Sequence, residues 1–523
     1  MPNSPTSPVK LKPIEIRLRY LLPADLYAAT WIDASPANLE RVFEHLRALQ
    51  HILSDYTCRQ ILDDPPQAGE TRYRKKRCRG SLMFTDLAGF TSLMEANASQ
   101  GKAGAAALLS IMNAYFSTMI EIIHKSGGDL LEFTGDALLA LFEEDKRREG
   151  LDILRAVRAG LRMQRAMQQF AAIPTPNGMV NLGMRVGIHS GHFLMADVGT
   201  PRRMEHVLLG KTVHQAKLTE GAGRVGRVNL SQQTFQQVEQ YFRFEEGEPG
   251  YKLVVDDFSE EQLGEYEITP SRRQASLALL DRSANGLISQ ISDMLDSIEP
   301  LACFLPQPIL NLLVESAARR NISPDFLEPT IMFVNLLGLP ELADLMLIGQ
   351  EWQVVNSFKQ AFSLINAAVE ARGGILKKVT YHLSGSDIVI YFGVPTAYTN
   401  NEQRAADAAL AIREIVRNLK PPNVIGLDAA PPVTCQIGIA SGPAFMAEIG
   451  EKRGRREFNV LGDTVNTTAR LMNQAQSNQI IISERVYQAI AGHFKCQSLG
   501  QVSLKGKRAP VNIYELLGSG SSS

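Results

Sequence analysis

The chain has 523 residues, 45% of them hydrophobic and 21% charged, with a formal net charge of −1. That balance suits soluble globular domains and gives no electrostatic case for nucleic acid or an anionic membrane as partner. No apolar run reaches the ~18 residues of a membrane span, the opening MPNSPTSPVK lacks the apolar core of a signal peptide, and the five cysteines show no metal-ligand spacing, which fits free thiols in a reducing cytoplasm.

Residues 1–13 are rich in Pro and Ser and read as disordered. Asn38 to Leu62 carries apolar residues at helical spacing, and the basic run 71–80 reads as a solvated edge or loop. A strand over 81–86 follows, then a helix over about 101–124 and a hairpin with arms LLEFT and ALLALF. A helix over 151–170 and a strand over 182–188 come next, and the unit closes near GEYEIT at 264–269. Residues 271–299 read as a helical connector, and the terminal GSGSSS as flexible. The resulting division is an N-terminal segment 1–79, domain one 80–268, a connector 269–327, domain two 328–518 and a tail 519–523. Strands alternating with helices around central antiparallel hairpins predict an α+β fold made of two ferredoxin-like domains.

The division follows from an internal repeat. SLMFTDLAGFTSL (81–93) returns as TIMFVNLLGLPEL (330–342), Gly127-Gly128 as Gly373-Gly374, MRVGIHSGHF (184–193) as CQIGIASGPA (435–444), and HVLLGKTVHQAKL (206–218) as FNVLGDTVNTTARL (458–471). Paired positions are separated by 249 residues (86 to 335), 246 (127 to 373) and 252 (210 to 462), a period too long for a solenoid. The copies differ where chemistry would reside. Asp86 of the first copy is Asn335 in the second, and a neutral amide is a poor ligand for a divalent ion.

Asp86 at a strand end and Asp136 in the turn of the adjacent hairpin form a pair able to clamp two divalent ions, Mg²⁺ or Mn²⁺, on a triphosphate. Either aspartate alone reads as a turn residue; the pair in its surroundings reads as a site. Gly89 allows close backbone approach, and the amides of Ala88, Gly89, Phe90 and Thr91 open the next segment toward phosphate oxygens.

FTDLAGFTSL, GGDLLEFTGDALLALF, MRVGIHSGHF and FNVLGDTVNTTAR together resemble the motifs of class III nucleotidyl cyclases. The tandem layout, with one intact and one altered metal half, is similar to the bicarbonate-responsive soluble adenylyl cyclases. The likeness covers roughly residues 80–268 and 328–518. It implies two domains packed head to tail, with one catalytic site at their interface. By this resemblance Asp86, Asp136 and the carbonyl of Leu87 hold the metals, and Arg185 reaches the β- and γ-phosphates. From domain two, Asn466 orients the ribose and Arg470 neutralises charge on the α-phosphate. The four-residue spacing puts both on one helix face. Lys505 resembles a phosphate-contacting lysine of the family.

Base choice follows hydrogen-bond polarity. Lys378 occupies the position where ATP-using relatives carry lysine; a lysine donates and cannot accept, which suits adenine N1 and opposes guanine. The alternative for Lys377-Lys378 is a solvent-facing strand pair. The partner position, commonly Asp or Thr in such relatives, is Asn459. The symmetry-related site, with Asn335, Asp387, His214 and Leu218, lacks a metal ligand and a phosphate clamp. There Glu132 and Lys217 stand where the relatives bind bicarbonate, and they are expected to pair and exclude a small anion. The expected function is therefore an adenylate cyclase, making cyclic AMP and pyrophosphate from ATP as a monomer. Use of GTP and a non-catalytic nucleotide sensor are the rivals; regulators are not legible.

Overall fold

The computed structural model describes residues 11–66, 74–145, 147–264, 266, 281–317, 322–345, 349–381, 385–422, 431–451, 454–504 and 509–520. Each repeat builds the same mixed sheet. In the first the strand order is 129–134, 137–143, 75–88, 183–200, 228–231, 251–254 and 244–246, with 203–209 paired onto the long strand 183–200. In the second it is 375–381, 386–392, 330–337, 434–441, 480–483, 511–519 and 494–502. All neighbours are antiparallel except 183–200 with 228–231, and 434–441 with 480–483. Those two parallel pairs are bridged by the helices Lys211–Gly221 and Asp463–Gln474, since a parallel connection needs a crossover.

The expected α+β architecture holds, with local corrections. The hairpins 129–143 and 375–392 lie at the sheet edge, not its centre. The first strand runs from Lys75 to Ala88, so the basic run is largely strand and the 79/80 boundary falls inside it. The strand expected to stop at 188 continues to Thr200. Its counterpart breaks after Ser441 and resumes at Ala444, because Pro443 replaces His192 and cannot donate to the ladder. Leu11 is buried in a turn that continues into the helix Glu15–Leu21, so order begins before residue 13. The strand Val511–Ser519 and a hydrogen bond from Gly520 N to His493 O (2.8 Å) fix the first part of the tail. Most of GEYEIT lies outside the described residues.

The helix Gly101–Lys125 explains why hydropathy alone misleads. It is long and apolar enough to cross a membrane, against the expectation of no such run. Leu108, Met112, Tyr115, Phe116, Met119, Ile120 and Ile123 recur at three- and four-residue spacing, and all are fully buried. They pack on the domain-one sheet as a core stripe.

The two halves share their cores. Phe445, Ala447, Ile449 and Leu461 of domain two join the domain-one core. Reciprocally, Leu194, Ala196, Val198, Val207 and Leu209 of domain one join that of domain two. Each half thus lays a β-ribbon on the other's long helix: Gly450 N donates to Asn113 Oδ1 (3.1 Å). Over this pair lies a helical cap made of the helices Pro36–Tyr56, Ala284–Ala302 and Gln307–Ser316.

Candidate active site

The carboxylate pair is set by two tight turns. The strand Lys75–Ala88 ends at Gly89, whose φ of 95° starts the helix Phe90–Ala98. A Cβ there would lie 2.5 Å from the carbonyl oxygen of Asn181, so only glycine fits. Phe90, at the helix start, is buried in the core, while Leu87 sits in the ladder opposite Met184. Asp136 occupies the hairpin turn beside Gly135 (φ 70°). Burial, and then the Asp86 charge, push the Asp136 carboxyl up to about 7. Two carboxylates in such mutual conflict are a donor set that a divalent cation would relieve, so the residues fit the metal the sequence implies. Among the described residues no cluster of three or more His, Cys, Asp or Glu side chains offers a rival metal site.

Arg185 does not stand free for phosphate. It is the cross-strand partner of Asp86 and pairs with its carboxylate, and its Nε lies 3.2 Å from Glu220. In this structure it neutralises Asp86.

Domain two delivers its residues from above. Gly462 (φ 135°) opens the helix Asp463–Gln474. A Cβ on Gly462 would meet Met94 Sδ at 2.8 Å, and one on Gly135 would meet Leu461 Cδ2 at 4.0 Å. The strand end that leads into this helix, Leu461, therefore lies near the domain-one turn that carries Asp136, and Gly462 lies against Met94. Asn466 and Arg470 lie one turn apart on it, both half-buried. Arg470 Nη1 is buried with no hydrogen-bond partner, as is Asn459 Nδ2. Buried donors without partners are rare, and both suit an anionic, base-bearing ligand. Lys505 lies outside the described residues.

Lys378 departs from expectation. It is 7% exposed, and Lys377 6%, which rules out a solvent-facing pair. The Lys378 ammonium donates to the Phe133 carbonyl and lies 3.1 Å from Glu132 Oε1 and 3.4 Å from Glu457 Oε1. Burial opposes its charge, but Glu132 and Glu457 hold its pKa up. Burial likewise works against the Glu457 charge, yet Lys377 and Lys378 hold that carboxyl down at about 2. A cavity of about 90 Å³ adjoins Lys378; Glu132, Arg455 and the cap residues Tyr56 and Cys58 line it, whereas Asp86 and Asp136 do not.

The second site is filled differently in every part. Asn335 donates to Gln436 Oε1 (2.9 Å) at the positions matching Asp86 and Arg185, a neutral pair replacing a charged one. Asp387 is the cross-strand partner of Asn335. His214, on the helix Lys211–Gly221, lies 3.3 Å from the Gly385 carbonyl oxygen, and Leu218 is half-buried one turn on. Lys217 pairs with Glu220 (2.8 Å), not with Glu132, because Glu132 is engaged by Lys378.

Residues 73–253 and 324–518 match the family described as adenylate and guanylate cyclase catalytic domain. The chain belongs to this family. Among its relatives, mouse adenylate cyclase type 10 is 25% identical over 84% of this chain and 26% of that protein. An adenylate cyclase of Mycobacterium bovis is 28% identical over 40% of this chain and 43% of its own. The cyclase-family chain thus spans about a quarter of the length of the type 10 relatives it matches. A class III adenylyl cyclase-like ATP-binding protein from Pseudomonas aeruginosa shares the fold, with a TM-score of 0.55 at 15% identity over 86% of this chain and 93% of that one. Sequence reasoning missed Glu220 and Glu457 in this cyclase-family site. Both are buried acids flanking basic residues, a signal visible only after the strands are paired.

Proposed function

We propose that the chain is an adenylate cyclase, converting ATP to 3′,5′-cyclic AMP and pyrophosphate at one site between its halves. The supporting observation is the approach of Leu461, just before the helix Asp463–Gln474, to the turn that carries Asp136, with Arg470 Nη1 on that helix buried and unpartnered. Asp86, Asp136 and the Leu87 carbonyl would hold divalent ions, Mg²⁺ or Mn²⁺, which supply charge neutralisation and an acidified 3′-hydroxyl. The amides of residues 88–91 bind phosphate oxygens at a helix start. Asn466 orients the ribose so that its 3′-oxygen lies in line with the α-phosphorus. Arg470 gives its free N–H to the oxygens that gain charge as the bond to pyrophosphate breaks. Arg185, paired with Asp86 and Glu220, would turn to the terminal phosphates of the bound nucleotide. Asn459 accepts the adenine amine through Oδ1.

Both halves of the site come from one chain, which supports activity as a monomer. The five unpaired cysteines, four of them buried, support a cytoplasmic setting. Purified protein with ATP or GTP and Mg²⁺ or Mn²⁺, read by product mass, tests the reading: cyclic AMP supports it, and cyclic GTP or no product overturns it. The engagement of Lys378 favours a second reading, a nucleotide sensor that binds ATP without turnover, which the same assay paired with binding calorimetry separates.

A further inference from the structure

Glu132 and Lys378 occupy the same position in the two repeats. Each follows a one-residue bulge in the first hairpin arm, between Leu130 and Glu132 in domain one and between Leu376 and Lys378 in domain two. A bulge re-aims the side chain that follows it, and here both are aimed at the axis relating the halves. Two further contacts repeat across that axis. Arg203 of domain one donates to the bulge carbonyls of Leu376 and Lys377 (3.2 Å each), and Arg455 of domain two donates to that of Leu131 (3.1 Å). Like residues at the two bulges would repel; this chain places a glutamate against a lysine.

The consequence concerns base reading. An ammonium has three N–H donors, and those of Lys378 face the Phe133 carbonyl, Glu132 and Glu457. Asn459 lies two residues beyond Glu457 on the same strand face, with its Nδ2 unpartnered. The base pocket therefore has one half open and one half committed. We propose that Glu132 is a positioning residue that withholds Lys378 from the nucleotide base, so that base binding requires this cross-domain ion pair to be exchanged for the base edge. The proposal rests on the cyclase reading for the identity of the nucleotide. It predicts that the apparent affinity is lowered by the fraction of molecules in which the pair is open.

The test uses the full chain carrying Glu132→Gln, with Glu132→Asp as a second variant that keeps the charge but retracts it by one methylene. Binding of a non-cyclisable ATP analogue by calorimetry is measured beside KM and kcat for ATP. Glu132→Gln is expected to tighten the analogue Kd and lower KM by about five- to tenfold, with kcat held within about twofold, and Glu132→Asp to move both the same way by less. In a Lys378→Met background the Glu132→Gln effect should vanish. Unchanged or weaker analogue binding, or the same change without Lys378, overturns the proposal. Because the analogue binds without reacting, a chain that lacks turnover altogether would sink the cyclase reading yet leave this measurement valid.

Discussion

At the residue scale the catalytic reading depends on groups that the fold leaves unsatisfied. Arg470 Nη1 has no protein partner, so Arg470→Ala should cost about 10²–10³ in kcat while leaving the melting temperature nearly unchanged; a large drop in melting temperature would reveal a structural arginine instead. Asp136 gives a pH signature. Its carboxyl is raised to about 7 in the metal-free fold, chiefly by burial and next by Asp86, and its unfolded value is near 3.8. The native state then holds the extra proton between those values, so metal-free stability falls as pH rises through that window. Mn²⁺ must displace the proton, so its stabilising shift in melting temperature should be small at pH 6 and larger at pH 8, and Asp86→Asn should flatten the difference. The aspartates and the Asn-x-x-x-Arg pair were legible because each sits in a local motif. The partner of Lys378 was not, because Glu132 lies 246 positions away and meets it only through two matching bulges. The assignment of Glu132 to Lys217 failed because Lys378 engages Glu132 and Lys217 pairs within its own helix with Glu220.

Among elements, the first strand begins as the solvated edge that its charges predict: Lys75, Lys76 and Arg77 are exposed, and 75–79 pair on one side only. Lys75 and Arg77 also reach Glu351 at the start of the domain-two helix Glu351–Glu370 (3.3 and 2.9 Å). Glu351 is 7% exposed and also accepts from Gly349 N (3.0 Å). Glu351→Ala should therefore cost about 2 kcal/mol by urea unfolding, whereas removal of an exposed ion pair would cost under about 1 kcal/mol. Helix and strand identities were readable from apolar spacing, but their ends were not. The long strand passes 188 because its outer half, with Leu194, Ala196 and Val198, is apolar toward the other domain, a context absent from local sequence.

For the whole molecule, the shared cores mean that neither half is a free-standing unit. A fragment of residues 74–264 would expose Leu194, Val198, Val207 and Leu209, a patch that favours association. Expressed alone it should aggregate or bind a hydrophobic dye, and coexpression with residues 281–520 should restore solubility; a monodisperse, cooperative single half would contradict this packing. The repeat itself announced the pseudo-symmetry, while the interleaving of ribbons could not be inferred from offsets.

The amide couple Asn335–Gln436 has an evolutionary corollary. In domain one the same two places, Asp86 and Arg185, carry opposite charges, so giving domain two the same pair requires both residues to change. Asn335→Asp alone would strand an anion beside a glutamine, and Gln436→Arg alone would strand a cation. Each single step leaves one charge without its partner, so the neutral couple is in this sense ratcheted.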